Sequence, residues 1–429
     1  QIMFNKIKSL FTITNNKKSI SFSVKRLDDF KYFNYSRKIF SLIEKENNSF
    51  KSMFVGGCVR KLIKGEEIND IDIATNIDPN ILKKILVKNN LKFIETGIAH
   101  GTITIFINDL KFEVTTLRQD VKTDGRHADV EFISDWKKDA QRRDFTINAI
   151  YSNLRGEIYD PLNGIEDLNL GIVRFVGNPD KRIKEDYLRI LRYVRFFAQY
   201  SKQEHQPESI KAIKINLKDF NKVSKDRSLD ELLKILRLKK INTLFRDDFL
   251  NFVILSIYPQ LKYGNRINLL EKLSNNILKK LNPIIILSVL LIDESDNAEY
   301  FLYKYNLPNK LKKKILFINK IYQLNLITEL VDKKYLIKLC YLNEKKNVID
   351  LLLFLIFIFP TKKKVLENLL SYIEHSVIPV FPVKANYLID NFNYIEGKSL
   401  GVALKKLETK WINDNFKIQN NEIKDILKI

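Results

Sequence analysis

The chain has 429 residues, of which 45% are hydrophobic and 29% charged, a balance that excludes a disordered or fibrous polymer and suits two or three globular domains. Lys+Arg 73 against Asp+Glu 51 leaves a formal charge of +22, which favours partners with a phosphate backbone, although a chain-wide abundance of Lys, Asn and Ile accounts for part of the excess without any partner. Only two cysteines, Cys58 and Cys340, are present and no C-x-x-C or His cluster offers a zinc site, so a disulfide scaffold is excluded and a reducing, cytoplasmic compartment is expected.

In chain order, the first 27 residues carry no Asp or Glu, a mild similarity to an organelle-targeting peptide. Against it stand a single arginine, Arg26, and the stretch SISFSV, which alternates like a strand. Residues 1–35 are taken as an N-terminal extension. From Lys51 to about Tyr159 the pattern is strand-rich, with apolar alternation in TITIFIN and KFEVTTL. A helix is predicted over Asp78 to Lys88, capped by Asp78 with Pro79 in its first position. YSNLRGEIYD reads as a hairpin turning near Arg155 and Gly156. Beyond about Gly164 helical spacing takes over and continues to the C-terminus, with Lys-rich faces beside Leu/Ile/Phe stripes. The apolar runs Pro283 to Ile292 and Leu351 to Phe359 fall short of the roughly 20 residues a bilayer span needs, so they read as buried helices and no membrane partner is expected.

The most informative segment begins at Phe54, FVGGCVRKLIKGEEINDIDIAT. A strand ending at Gly56 and Gly57 lets backbone N–H groups approach a phosphate, and Arg60 follows within reach of the same anion. A second strand carries Asp70 and Asp72, which share a face about 6.5 to 7 Å apart. Such a pair can converge on two divalent ions about 3.5 to 4 Å apart, the spacing for in-line phosphoryl displacement. Alone, a D-x-D is usually a solvated strand edge. Glu113, in KFEVTTL, is a candidate third carboxylate. DGRHA is a turn-prone segment with one cation, Arg126, which by itself reads as a surface loop. Arg142, Arg143 and Asp144 can hold phosphate with the cations and ribose hydroxyls with the carboxylate, or form a plain ion-pair cluster. Asp186 and Arg189 lie three apart on a predicted helix and so share a face, continued by Arg192 and Arg195; the plain alternative is an amphipathic helix with a surface ion pair.

The string GGCVRKLIKG…NDIDIAT resembles the first motif of the class II nucleotidyltransferases, the branch that contains bacterial and mitochondrial CCA-adding enzymes and bacterial poly(A) polymerases. Family-like motifs follow in order: DGRHADVEF, DWKKDAQRRDFTINAI, RIKEDYLRILRYVRF, and in the tail FPVKANYLIDNF and SLGVALKKLETKWINDNF. The resemblance runs from about Phe54 to Phe416. The family usually has Asp after the motif-one arginine, where this chain has Lys61, and Gly and Asp at the tail positions occupied by Ala385 and Asn386.

The resemblance implies an α+β fold: a nucleotidyltransferase head with a mixed sheet and helices over 36–160, a neck for base recognition over 161–230, and an all-helical body and tail over 231–429 that binds tRNA. It implies that Asp70 and Asp72 hold Mg²⁺, that the Arg126 loop helps the site change between nucleotides, and that Arg143 and Asp144 contact the nucleotide sugar. It also implies that Asp186 and Arg189 read the incoming base in place of a nucleic-acid template. An arginine donates and an aspartate accepts from an exocyclic amine, which suits the bases of CTP and ATP and not that of UTP. The expected activity is template-independent addition of C, C and A to the 3′ end of tRNA. A poly(A) polymerase sharing the head is the nearest alternative, and a nonenzymatic RNA-binding protein on the same scaffold is the alternative of another class.

Overall fold

The structure is a computed structural model that describes residues 32–68, 70–97, 100–123, 128–326 and 328–427. The SISFSV stretch and the targeting reading therefore lie outside the described residues, as does Arg126. The chain divides into two compact units, one up to Lys240 and one from Ile241. The first holds the sheet together with the helices that follow it, and its limit falls beyond 230 because a helix spans that position.

In the first unit the order is α1 (Phe33–Glu46), β1 (Ser52–Val55), α2 (Gly57–Lys64), β2 (Ile71–Thr75), α3 (Pro79–Lys88), β3 (Lys92–Gly97), β4 (Thr102–Ile107) and β5 (Leu110–Thr116). Then come the ribbon β6 (Arg118–Thr123) and β7 (Ala128–Phe132), α4 (Trp136–Gln141), β8 (Tyr151–Ser152) and β9 (Ile158–Tyr159). A seven-stranded mixed sheet runs β3-β4-β5-β2-β1-β8-β9, with β2 and β5 parallel and the other neighbours antiparallel. Asp78 caps α3 by accepting from Asn80 N and Ile81 N, and Pro79 takes the first position, as the sequence predicts. Phe40 of α1 meets Phe54 of β1 with ring centroids 5.0 Å apart, which seats that helix on the sheet.

The helical part opens at Gly164 with α5 (Gly164–Leu170), followed by α6 (Pro179–Glu185), α7 (Arg189–Tyr200), α8 (Pro207–Asn216) and α9 (Lys225–Ile235). α7 buries Ile190, Leu191, Tyr193, Val194, Phe196 and Phe197. Phe145 sits in this cluster, 4.8 Å from Phe175 and 5.4 Å from Phe196 between ring centres, so the loop before β8 is packed into the helical layer.

The second unit is all-helical: α10 (Ile241–Arg246), α11 (Asp248–Ile257), α12 (Asn275–Lys280), α13 (Pro283–Leu291), α14 (Asn297–Tyr305), α15 (Asn309–Gln323), α16 (Lys333–Asn343), α17 (Lys345–Ile358), α18 (Lys363–His375), α19 (Ala385–Phe392), α20 (Lys398–Asn413) and α21 (Asn420–Leu427). The two long apolar runs form α13 and most of α17, which pack on one another. Asn282 ties them by capping α13 and donating to Asp350 at 3.1 Å. The last helices enclose a small core of their own, built from Val383, Leu388, Leu400, Ala403, Leu407 and Ile423. Among the described residues no helix is long and apolar enough to cross a membrane.

One glycine joins the sheet to the helices through lack of a side chain. A methyl on Gly164 would lie 2.8 Å from the carbonyl carbon of Thr146 and 2.9 Å from Ile150 Cγ1. Backbone cannot step aside as a flexible side chain can. Gly164→Ala should therefore destabilise the first unit by about 1 to 3 kcal/mol, read as a lower urea midpoint at unchanged slope.

Candidate active site

The site starts where β1 stops. Gly56 has φ 68° and ψ −118°, a backbone state open to glycine and costly for other residues, and it turns the chain from β1 directly into α2. Its N–H donates to Ile150 O at 3.2 Å, so the turn is tied to the segment leading into β8. The N-terminus of α2 then stands beside the first carboxylate: a methyl on Gly57 would be 3.8 Å from Asp72 Oδ2.

Asp72 lies in β2, whereas Asp70 precedes the strand, which begins at Ile71. Asp70 is exposed and Asp72 partly buried. Parallel pairing sets Asp72 directly opposite Glu113 on β5, so these two carboxylates share one face of the sheet by register. Glu113 also receives Lys111 Nζ at 2.5 Å. Burial pushes the Asp72 carboxyl up to about 6, and the charges of Glu113 and Asp70 add to the rise while Arg143 and Arg60 oppose it. The electrostatic need at this point is for a cation. Among the described residues no group of three or more His, Cys, Asp or Glu is gathered closely enough to hold a metal ion by itself. Hard carboxylate oxygens such as those of Asp72 and Glu113 are donors of the kind a hard divalent cation takes, usually completed by substrate phosphates and water.

Beneath the turn, Cys58 donates its Sγ–H to Val55 O at 3.3 Å and to Asp72 O at 3.5 Å. Burial pushes this thiol up to about 12.

α4 and the RRD segment after it bring one buried carboxylate each, Asp139 and Asp144, and both are paired with arginines. Asp139, on α4, accepts from Arg143 Nη2 at 2.9 Å, Arg142 Nε at 2.9 Å and Tyr151 Oη at 2.7 Å. Burial would raise its pKa, yet Arg143, Arg142 and the Tyr151 hydroxyl together hold it well below the usual carboxylate range. Held this way, Arg143 lies over the Tyr151 ring at 5.2 Å and points Nη1 towards Gly56, where a methyl would be 3.7 Å away. Asp144 is filled on both oxygens: Oδ1 accepts from Phe145 N and Asn148 Nδ2, each at 2.9 Å, and Oδ2 accepts from Arg192 at 2.5 Å. Arg192 and Asn148 hold it low against the pull of burial.

Arg60 is buried, not spread on the surface. Its guanidinium lies against both Phe196, at 4.7 Å, and Tyr200, at 4.9 Å, and donates to Asn148 Oδ1. Its other edge borders the glycine turn, 4.0 Å from where a Gly57 methyl would be. Asn148 and the two rings set this orientation.

The structure corrects the reading of Asp186 and Arg189 as neighbours on one helix face. Asp186 has φ −158° and ψ 104°, beyond the end of α6, and Arg189 opens α7, so a break separates them. The cause is local: Asp186 Oδ1 accepts from Leu188 N at 3.2 Å, an aspartate turn that competes with helix continuation. Arg189 N donates to Asp186 O at 3.0 Å, but their side chains bond elsewhere. Arg189 binds Glu185 at 2.5 Å and Arg182 O at 2.6 Å, while Asp186 pairs with Arg227 at 2.7 Å. Arg182 in turn donates to Gln141 O at 2.7 Å and Arg142 O at 3.1 Å, which links α6 to the RRD segment.

Gly56, Gly57, Arg60, Asp72, Glu113, Arg143, Asp144 and Arg192 are thus joined by contact or register. Sequence reasoning did not single out Asp139, Asn148, Tyr151, Arg182, Glu185 or Arg227. The first three flank or lie within the RRD string and a satisfied-charge argument could have reached them; Arg227 is distant in sequence and gave no signal.

Comparison with known proteins follows this geometry. The profile described as "Poly A polymerase head domain" matches residues 52–174. The chain is similar to the human "CCA tRNA nucleotidyltransferase 1, mitochondrial", 33% identical over 410 residues that cover 91% of this chain and 89% of that protein. It is 37% identical over 233 residues to a CCA-adding enzyme of Lactobacillus helveticus, covering 51% of this chain and 57% of that one. In fold it is similar to the Bacillus stearothermophilus CCA-adding enzyme in complex with CTP, with TM-score 0.69, 23% identity, and coverage of 93% of this chain and 97% of that chain.

Because Asp139 and Asp144 both have depressed folded-state values, the stability they contribute is present above the ordinary aspartate value of about 3.9 and is lost as pH falls below it. Asp139→Asn leaves Arg142 and Arg143 without their buried counter-charge and should cost about 3 to 5 kcal/mol at neutral pH. Acid and urea titrations of the variant should show a shallower loss of stability below pH 4 than the parent.

Proposed function

We propose the reaction from two facts: the chain belongs to the CCA tRNA nucleotidyltransferase family, and Asp72 stands in register with Glu113 beside the Gly56–Gly57 turn. The chain adds C, C and A from CTP and ATP to the 3′ end of tRNA without a nucleic-acid template and releases pyrophosphate at each step. The register of Asp72 and Glu113 next to a helix N-terminus is the observation that carries the chemistry, since it gathers negative charge where a metal-bound triphosphate must lie.

Asp70 and Asp72 would hold Mg²⁺, with Glu113 adding to the field. Bound there, the ion supplies Lewis-acid activation of the RNA 3′-hydroxyl and stabilises the charge of the departing pyrophosphate. The chain's own residues do the rest. The N–H groups at Gly56 and Gly57 take phosphate oxygens, with Arg143 aimed at the same turn and Arg60 behind it. Asp144, fixed by Asn148 and Arg192, orders the sugar side. Asp186 accepts from the exocyclic amine of cytosine or adenine and Arg189 donates to the ring acceptor. The Arg126 loop gives the site room to change between CTP and ATP. The basic helical unit from Ile241 onward binds tRNA through shape and phosphates. Free, buried Cys58 and Cys340 support a reducing compartment, in agreement with a cytoplasmic assignment.

The direct test is incubation of tRNA lacking its CCA end with CTP and ATP, separately and together. Addition of two C and then one A is expected; a long A tail would transfer the chain to the poly(A) polymerase side of the branch. Asp72→Ala should abolish addition while gel-shift affinity for tRNA stays close to the parent, because the RNA grip is assigned elsewhere. Full turnover in that variant would remove the metal assignment. Asp186→Ala should lower the preference for CTP over UTP by about 5- to 150-fold, the worth of a bidentate base contact of roughly 1 to 3 kcal/mol.

A further inference from the structure

Asp186 is exposed to two demands. It must present acceptor oxygens to a base, and it sits at the break between α6 and α7, where its N–H donates to Ile183 O and its C=O accepts from Arg189 N, bonds that hold the backbone and leave the carboxylate free to turn. Something else has to hold the carboxylate. The residue three positions on does not: Arg189 is committed to Glu185 and to Arg182 O. Arg192 does not either, being bound to Asp144. Among the described residues, the ion pair of Asp186 is with Arg227 of α9, Nη2 to Oδ2 at 2.7 Å.

We propose that Arg227 is a positioning residue for base selection, acting through Asp186; the inference rests on the reading of Asp186 and Arg189 as the base-reading pair. A carboxylate has about four acceptor positions over two oxygens. Leu188 N takes one on Oδ1 and Arg227 takes one on Oδ2, so both oxygens are pinned and each keeps capacity for an incoming amine. Arg227 orients the group without filling it.

The helix behind it is built to keep that contact. Arg227 and Glu231 are four apart on α9 and so share a face. Glu231 is 1% exposed and holds Arg195 of α7 at 2.5 Å. Leu229 and Leu232, also buried, seat α9 in the unit. One side of α9 therefore grips α7 through an acid and the break before α7 through a base, and the distance between those two grips sets where Asp186 Oδ2 lies. The Arg227 side chain is 40% exposed, so its pair with Asp186 contributes little to stability and its conspicuous cost falls on geometry.

The test compares Arg227→Ala, Arg227→Lys, Asp186→Ala and the double variant in the full-length enzyme, with tRNA lacking its CCA end. Efficiencies with CTP and UTP and thermal midpoints are measured for each. Arg227→Ala should lose at least about fivefold of the CTP-over-UTP ratio, the lower end of a bidentate contact. The loss should come from the CTP side, with the unfolding midpoint within about 4 °C of the parent. Arg227→Lys should recover part of the ratio, since an ammonium restores the charge without the planar fork. The double variant should be no less selective than Asp186→Ala, because both changes act on one carboxylate. If Asp186→Ala loses selectivity and both Arg227 variants keep it, the inference fails and the base-reading assignment stands. If Asp186→Ala itself keeps selectivity, the base-reading assignment fails. Equal falls with CTP and UTP in both Arg227 variants, or losses that add in the double variant, would mean that Arg227 supports the fold or acts elsewhere, and would overturn the inference.

Discussion

A buried charge needs a counter-charge, and in this molecule that need welds the sheet to the helices. Asp144 leaves the sheet region and finds Arg192 on α7, 48 residues along the chain. Its other oxygen holds Asn148, Asn148 holds Arg60, and Arg60 lies against Phe196 and Tyr200 of the same helix. Removing one partner from such a set leaves the others charged and out of water, which costs more than the pair contributes when complete. The glycine turn, the carboxylate pair and the start of α7 are therefore held in one frame, although they come from three separate stretches of sequence.

Asp139 is a second set of the same kind, with Arg142, Arg143 and Tyr151 around it. The two sets share the RRD string, one residue of which faces each way: Arg143 towards the glycine turn, Asp144 towards α7. Arg182 adds a third tie, from α6 to the carbonyls of Gln141 and Arg142. The residues proposed to meet base, sugar and phosphate are thus mechanically linked. A change at one is expected to be felt at the others through bonds that can be named.

Much of this was legible in the sequence, for definite reasons. Strand alternation found β4 and β5, a capping aspartate before a proline found α3, and the switch of period found the onset of helices at Gly164. Those are local signals. The two aspartates were visible, but their placement was not: Asp70 lies ahead of β2 and only Asp72 within it, and Glu113 stands opposite Asp72 because β2 and β5 run parallel, a register not written in either strand. The shared helix face expected of Asp186 and Arg189 is absent because a spacing of three implies one only if the helix is unbroken. KEDYLRILRY contains no proline or glycine to announce a break. It arises from a side chain bonding its own following backbone and from Arg227 far along the chain, and the second of these is a tertiary fact. The buried position of Arg60 was hidden likewise, since its aromatic neighbours arrive from α7.

Cys58 offers a different lesson. A thiol in the first turn of a helix normally loses its proton more readily, because the helix end favours an anion. Here burial and the nearby Asp72 charge reverse that tendency, and the sulfur spends its proton on two backbone carbonyls, one of them that of Asp72. Peroxides and alkylating reagents attack the thiolate. A sulfur beside the proposed metal-binding carboxylate is thereby held as the thiol, the form that reacts slowly with oxidants.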